Sequence, residues 1–149
     1  MVPDENGFVY RVVDESKCVR CGLCEQVCAY RNDVPPVSQK KVSVAVSACT
    51  DVRESASGGL FAAFAQAVID QGGAVYGCAM IYEKGQLWPR HICVTERRDL
   101  IRLKGSKYVQ SDLTGMYPDV RRRLAEGQTV LFSGTPCQVA GLKGFLRKE

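Results

Sequence analysis

The chain has no apolar run approaching the roughly 18 to 20 residues that a membrane-spanning helix needs. Its opening, "MVPDENGFVY", lacks the basic and apolar pattern of a secretory signal. Both absences lead to the expectation of a cytoplasmic protein whose thiols stay reduced, which removes a disulfide framework as the use of its eight cysteines. Histidine occurs once, as His91, with no cysteine or carboxylate at ligand spacing beside it, so it is assigned no chemistry. A formal charge of +4 is too mild to indicate nucleic acid. The paired knuckles and interleaved aromatics of a zinc-stabilised nucleic-acid-binding domain are also missing, which leaves that reading remote.

Four cysteines are concentrated in "KCVRCGLCEQVC". Cys18, Cys21, Cys24 and Cys28 follow the spacing C-x2-C-x2-C-x3-C. A structural zinc site takes its donors in pairs from two separated knuckles. Three cysteines at successive three-residue steps instead wrap one loop around an object with several metal corners, and the spacing is that of the bacterial ferredoxin run. A 4Fe–4S cubane is therefore preferred to zinc, with Gly22 letting the backbone come close to it. In two-cluster ferredoxins the fourth cysteine of each run serves the other cluster. The second run is absent here, and Ala29 stands where the ferredoxin pattern has proline. Either Cys28 reaches toward a second cluster, or Cys28 or Cys49 completes a single one.

The remainder reads as an α/β domain (α+β overall), because strand and helix patterns alternate. Residues 1–33 form an incomplete ferredoxin-type region. Residues 34–53 are a linker around Pro35–Pro36 with a short strand near Val42–Ala48, and residues 54–149 are an α/β unit. "SGGLFAAFAQAVIDQGG" predicts a helix burying Phe61, Phe64, Ala65, Val68 and Ile69, capped by Ser55 or Ser57 and closed by Gly72–Gly73. "AVYGCAMIYE" and "LWPRHICVTE" predict strands joined at Lys84–Gly85. "TERRDLIRL", capped by Thr95, and "MYPDVRRRLAEG", closed by Gly127, predict helices. "TVLFSG" predicts a strand running into a helix with Thr135 as cap and Pro136 at its first position.

Two junctions, Ser57–Gly58–Gly59 and Ser133–Gly134–Thr135–Pro136–Cys137, offer helix N-terminal amides suited to phosphate, although ordinary capping is the better explanation of a single such turn. Lys104, Gly105, Ser106 and Lys107 in "LKGSKY" add a glycine between two lysines, with Tyr108 able to stack or to pack. Cys78 and Cys93 read as small buried hydrophobes. Arg121, Arg122 and Arg123 read as a solvated face.

"CVRCGLCEQVC", "SASGGLFAAFAQAVIDQGGAVYGCAM", "RLKGSKYVQSDL" and "LFSGTPCQVAGLKGFLRK", in that order, resemble the coenzyme F-420 hydrogenase/dehydrogenase beta-subunit family. The resemblance implies an iron–sulfur flavoprotein oxidoreductase that passes electrons between 4Fe–4S clusters and a soluble carrier or partner protein through FAD. It makes the "LKGSKY" and "SGTPC" segments flavin-facing and leaves direct catalysis by Cys137 as a speculation. Two departures, the missing upstream cysteine run and the stop at Glu149, lead to the expectation that this chain is part of a longer protein in which FAD binds fully. The competing reading is a ferredoxin-like electron-transfer module without catalysis.

Overall fold

The structure, a computed structural model, describes residues 2–3, 5, 9–10, 12–28, 43–48, 55 and 57–147. Cys49, Arg31 and the Pro35–Pro36 linker lie outside the described residues. At the start, β1 (Val2–Pro3) and β2 (Val9–Tyr10) pair antiparallel. The cysteine loop follows, with α1 (Leu23–Gln26) inside it. The segment 43–48, part of the predicted Val42–Ala48 strand, forms no strand. It is instead fastened to the next turn by the Ser47 amide, which donates to the Gly58 carbonyl at 2.7 Å.

The main body has mixed α/β architecture around a three-stranded sheet of order β4-β3-β5. Strand β3 (Ala74–Glu83) turns at Lys84–Gly85, both with positive φ, into antiparallel β4 (Gln86–Val94). Such a two-residue turn matches the natural strand twist. Strand β5 (Val130–Phe132) runs parallel to β3, pairing Val75 with Leu131.

Alternation along β3 sends successive side chains to opposite faces. One face carries Val75, Ala79 and Val94, which pack with Ala65 of α2 (Leu60–Asp70) and with Leu100 and Leu103. The last two belong to the "TERRDLIRL" segment, which is a 3-10 helix over Arg97–Arg102 with Glu96, not Thr95, at its N-cap. The other face carries Ala74 and Tyr76 against Val120 of α3 (Met116–Ala125) and Leu142 of α4 (Pro136–Leu146). Tyr76 is fully buried, and its hydroxyl donates to the Asp119 carboxylate. That bond, with Arg122 and Arg123 adding to it, holds Asp119 below the usual carboxylate range.

Helix α2 departs from expectation at its start and on one face. Neither Ser55 nor Ser57 is its cap; Gly59 takes that position with φ +72°. Phe64 is 60% exposed, whereas the small Ala62 and Ala65 are buried, Ala65 against the sheet. The closing turn is as expected: Gly72 has positive φ, and the Gly73 amide donates to Val68. A Cβ on Gly73 would stand 2.5 Å from the Thr129 carbonyl, so only glycine lets this turn pass beneath β5.

Candidate functional site: a cysteine loop and a polar-walled cavity

The cysteine loop turns sharply twice between its first three thiols. Arg20 (φ +51°) and Gly22 (φ +71°) are both left-handed, and the Arg20 amide donates to Cys18 Sγ at 3.4 Å. Cys18, Cys21 and Cys24 are exposed, whereas Cys28, just past α1, is buried. The loop rests on the end of α4, where Gly144 makes room: a Cβ there would lie 3.0 Å from the Val27 carbonyl. Among the described residues no three of His, Cys, Asp and Glu gather closely enough to hold a single metal ion. The four thiols predicted as ligands are thus not drawn to one point. A cubane asks for less convergence than a mononuclear site, since each thiolate binds a different iron. The donor set is all thiolate on one tightly turned loop, with a backbone amide already directed at a sulfur, and these features fit such a cluster.

A second feature lies at the opposite end of α4. A cavity of about 350 Å³ opens between the "LKGSKY" segment and the "SGTPC" turn. Gly105, Ser106 and Lys107 form one wall, and Ser133, Gly134 and Thr135 another. Phe61, Cys78 and Leu103 add apolar surface, and His91, Ser111 and Gln138 add polar atoms.

These polar atoms form a chain with determined directions. Gln138 Oε1 accepts the Thr135 amide at 2.9 Å, so its Nε2 faces Ser111 and donates to Oγ at 3.0 Å. His91 Nε2 lies 2.9 Å from the Ser133 carbonyl, which can only accept, so Nε2 carries the proton. Nδ1 therefore accepts from the Ser111 hydroxyl at 2.7 Å. The imidazole also stacks on Phe132, with ring centroids 5.2 Å apart. His91, assigned no chemistry from sequence, is the centre of the polar wall. The available signal was the alternation of β4, which puts it on the same face as Cys93 and opposite Ile92.

Burial holds the His91 pKa below the ordinary histidine value, with the Ser133 carbonyl opposing in part. A lowered pKa means that the unfolded chain takes up a proton near pH 6.5 that the folded chain refuses. Stability is then complete above about pH 6.5 and declines as the pH falls from there toward the folded value. Because His91 is the sole histidine, no other imidazole contributes to the slope in that window. Urea midpoints should fall between pH 7 and pH 5, and His91→Gln should flatten the difference; an equal slope in the variant would refute the assignment.

The remaining expected residues divide. The N-terminus of α4 is largely occupied by its own cap: Thr135 and Gln138 form a capping box, and Pro136 has no amide. The "SGTPC" turn therefore presents fewer open amides to an anion than its sequence suggests. Pro136 and Cys137 are exposed and lie outside the cavity wall, with Cys137 Sγ 3.0 Å from Thr135 Oγ1. Lys107 Nζ donates to the Lys104 carbonyl at 2.6 Å and to the Arg102 carbonyl at 3.3 Å, and burial lowers its pKa. Lys104 is half-buried, and only its carbonyl takes part in this contact. Tyr108 is 95% exposed and neither stacks nor packs.

Ser57, Gly58 and Gly59 are absent from the wall, which only Phe61 of α2 reaches. Gly58 has a different use: a Cβ there would meet the Ala45 carbonyl at 2.6 Å, so the turn serves backbone packing. Cys93 packs with the core as expected, but Cys78 lines the cavity.

Comparison with known families decides what the loop is. Residues 11–28 match the 4Fe-4S binding domain. Over this segment the chain is similar to an iron–sulfur binding domain. The match takes in Cys18, Cys21, Cys24 and Cys28, supports a 4Fe–4S cluster on this loop, and implies redox partners. No curated protein and no solved structure gives a significant match to the chain. No helix among the described residues is long and apolar enough to cross a membrane.

Proposed function

We propose that this chain is the cluster-bearing part of a cytoplasmic iron–sulfur flavoprotein oxidoreductase of the coenzyme F-420 hydrogenase/dehydrogenase beta-subunit type. It exchanges electrons between a 4Fe–4S cluster and FAD, and so with a soluble carrier or partner protein. One observation carries the reading. Two segments about 30 residues apart, "LKGSKY" and "SGTPC", meet across a single cavity in a chain that also has a 4Fe–4S binding domain.

A volume of about 350 Å³ is at the lower end of the range for ligand pockets and suits one ring system rather than a whole dinucleotide. When bound, a flavin converts the single electrons of a cluster into two-electron hydride chemistry. On the protein side, Cys18, Cys21 and Cys24 would hold three iron corners, with Cys28 the fourth candidate among the described residues. His91, Ser111 and Gln138 hold the Ser133 carbonyl and the Thr135 amide in place, so this wall is fixed before any ligand arrives. Phe61, Leu103 and Val109 supply apolar lining for a ring. Because the α4 amides are largely occupied, affinity must come from ring packing more than from phosphate. One helix terminus contributes only about 0.3 to 2 kcal/mol to an anion, whereas micromolar binding needs about 8 kcal/mol.

Titrating the anaerobically reconstituted protein with FAD, followed by fluorescence quenching, tests this reading. This chain alone should bind FAD more weakly than micromolar, and the full-length parent should retain it through purification. A full-length protein with iron and sulfide in place but no flavin would overturn the proposal in favour of an electron-transfer module.

A further inference from the structure

The three consecutive arginines of α3 do not share one environment. Arg122 is paired with Asp119 and with Glu126, and Arg123 contacts Asp119 at 3.3 Å and Gln128 at 3.0 Å. Arg121 points the other way. Its guanidinium carbon lies 4.8 Å above the centre of the Phe145 ring of α4. Both residues line a second cavity, of about 470 Å³, whose walls also include Leu23, Cys24, Val27 and Arg147. An exposed cation from the α/β body therefore lines the same space as Cys24 of the iron–sulfur loop, with the aromatic ring beneath it.

We propose that Arg121 makes an electrostatic contribution to the cluster from the α/β body, raising its reduction potential from outside the cysteine loop alongside Arg147 on the same wall. The inference rests on the cluster assigned to Cys18, Cys21 and Cys24, but not on the flavin. Reduction adds one electron, and so one negative charge, to a site that is already anionic through its thiolates. A fixed cation across a partly enclosed cavity favours that reduced state more than the oxidised one. Within the loop, Lys17 is paired with Asp14 at 3.2 Å, whereas Arg20 belongs to the loop itself and supplies its charge from inside it. Arg121 is a positioning and charge-supplying residue with no part in ligation.

The test is an EPR-monitored dithionite titration of the reconstituted protein and three variants. Arg121→Gln should lower the reduced-to-oxidised ratio at fixed potential by roughly threefold to tenfold, tenfold being ~59 mV for a one-electron couple. Arg121→Lys, which keeps the charge, should recover most of that ratio. Arg122→Gln, one step along the helix but committed to Asp119 and Glu126, should leave it near the wild-type value. The Arg121→Gln shift should also shrink at high salt. A wild-type midpoint in Arg121→Gln, or an equal shift in Arg121→Lys, would overturn the inference. Absence of acid-labile sulfide in the wild type would overturn the cluster assignment, and this inference with it.

Discussion

Replacing Cys21 with serine should bleach the reconstituted protein. The wild type is expected to be brown and to bind iron and sulfide in near-equal amounts, and the variant should lose most of both. Position 21 is well placed for a clean result, because it lies on an exposed loop between two left-handed residues, Arg20 and Gly22. Serine there preserves the backbone and the side-chain size while exchanging a soft thiolate for a hard, weakly acidic oxygen donor. Little else touches the side chain, so lost colour reports lost ligation and not lost folding. Unchanged circular dichroism would secure that distinction. Tight, stoichiometric zinc with no sulfide in the wild type would sink the assignment.

On the proposed flavin reading, Gly134→Val in the flavin-binding protein should cost at least ~100-fold in FAD affinity, about 2.7 kcal/mol, while leaving the iron content intact. A Cβ at this position would meet Gln138 Oε1 at 2.9 Å and Phe132 Cε1 at 3.0 Å. Gln138 holds both the Thr135 amide and the Ser111 hydroxyl, and Phe132 is stacked on His91, so valine displaces both supports of the cavity wall. Overpacking of this kind typically costs 1 to 3 kcal/mol of stability, and a lower melting temperature should accompany the flavin loss. The cluster loop meets α4 at Gly144, near the end of the helix away from Gly134. A variant that keeps flavin at unchanged affinity would make the turn purely structural.

Local signals served best where the fold itself is local. The ten residues of β3, the turn at Lys84–Gly85, and the Thr135–Pro136 start of α4 were all legible, because alternation, turn chemistry and capping act within a few positions. The start of α2 was not. Serines suggested a cap, but contact with Ala45 forces a close-approaching glycine turn, and that contact spans 13 residues of chain. Phe64 was assigned to the buried face by spacing, yet the tight approach of α2 to the sheet selects alanine over bulk.

The site divides in the same way. Cysteine spacing alone pointed to the iron–sulfur loop. The polar wall was invisible because His91 finds its partners 20 and 42 residues away, at Ser111 and Ser133. Arg121 was grouped with Arg122 and Arg123, although Asp119 and Glu126 stand at helical spacing only for the latter two. What local spacing could not show is the arrival of Phe145 from α4 under Arg121.

Helix α4 fixes an angular phase between the two ends of the protein. Its first turn carries Gln138, locked to Ser111, and its last turn carries Gly144, under Val27. Eleven residues give a rod of about 16 Å. Each residue also advances the helix by about 100°. A single insertion or deletion between Gln138 and Gly144 would therefore rotate one end out of register by more than a quarter turn. Side chains along this rod can change freely on the solvent side, but the count of six steps from Gln138 to Gly144 cannot.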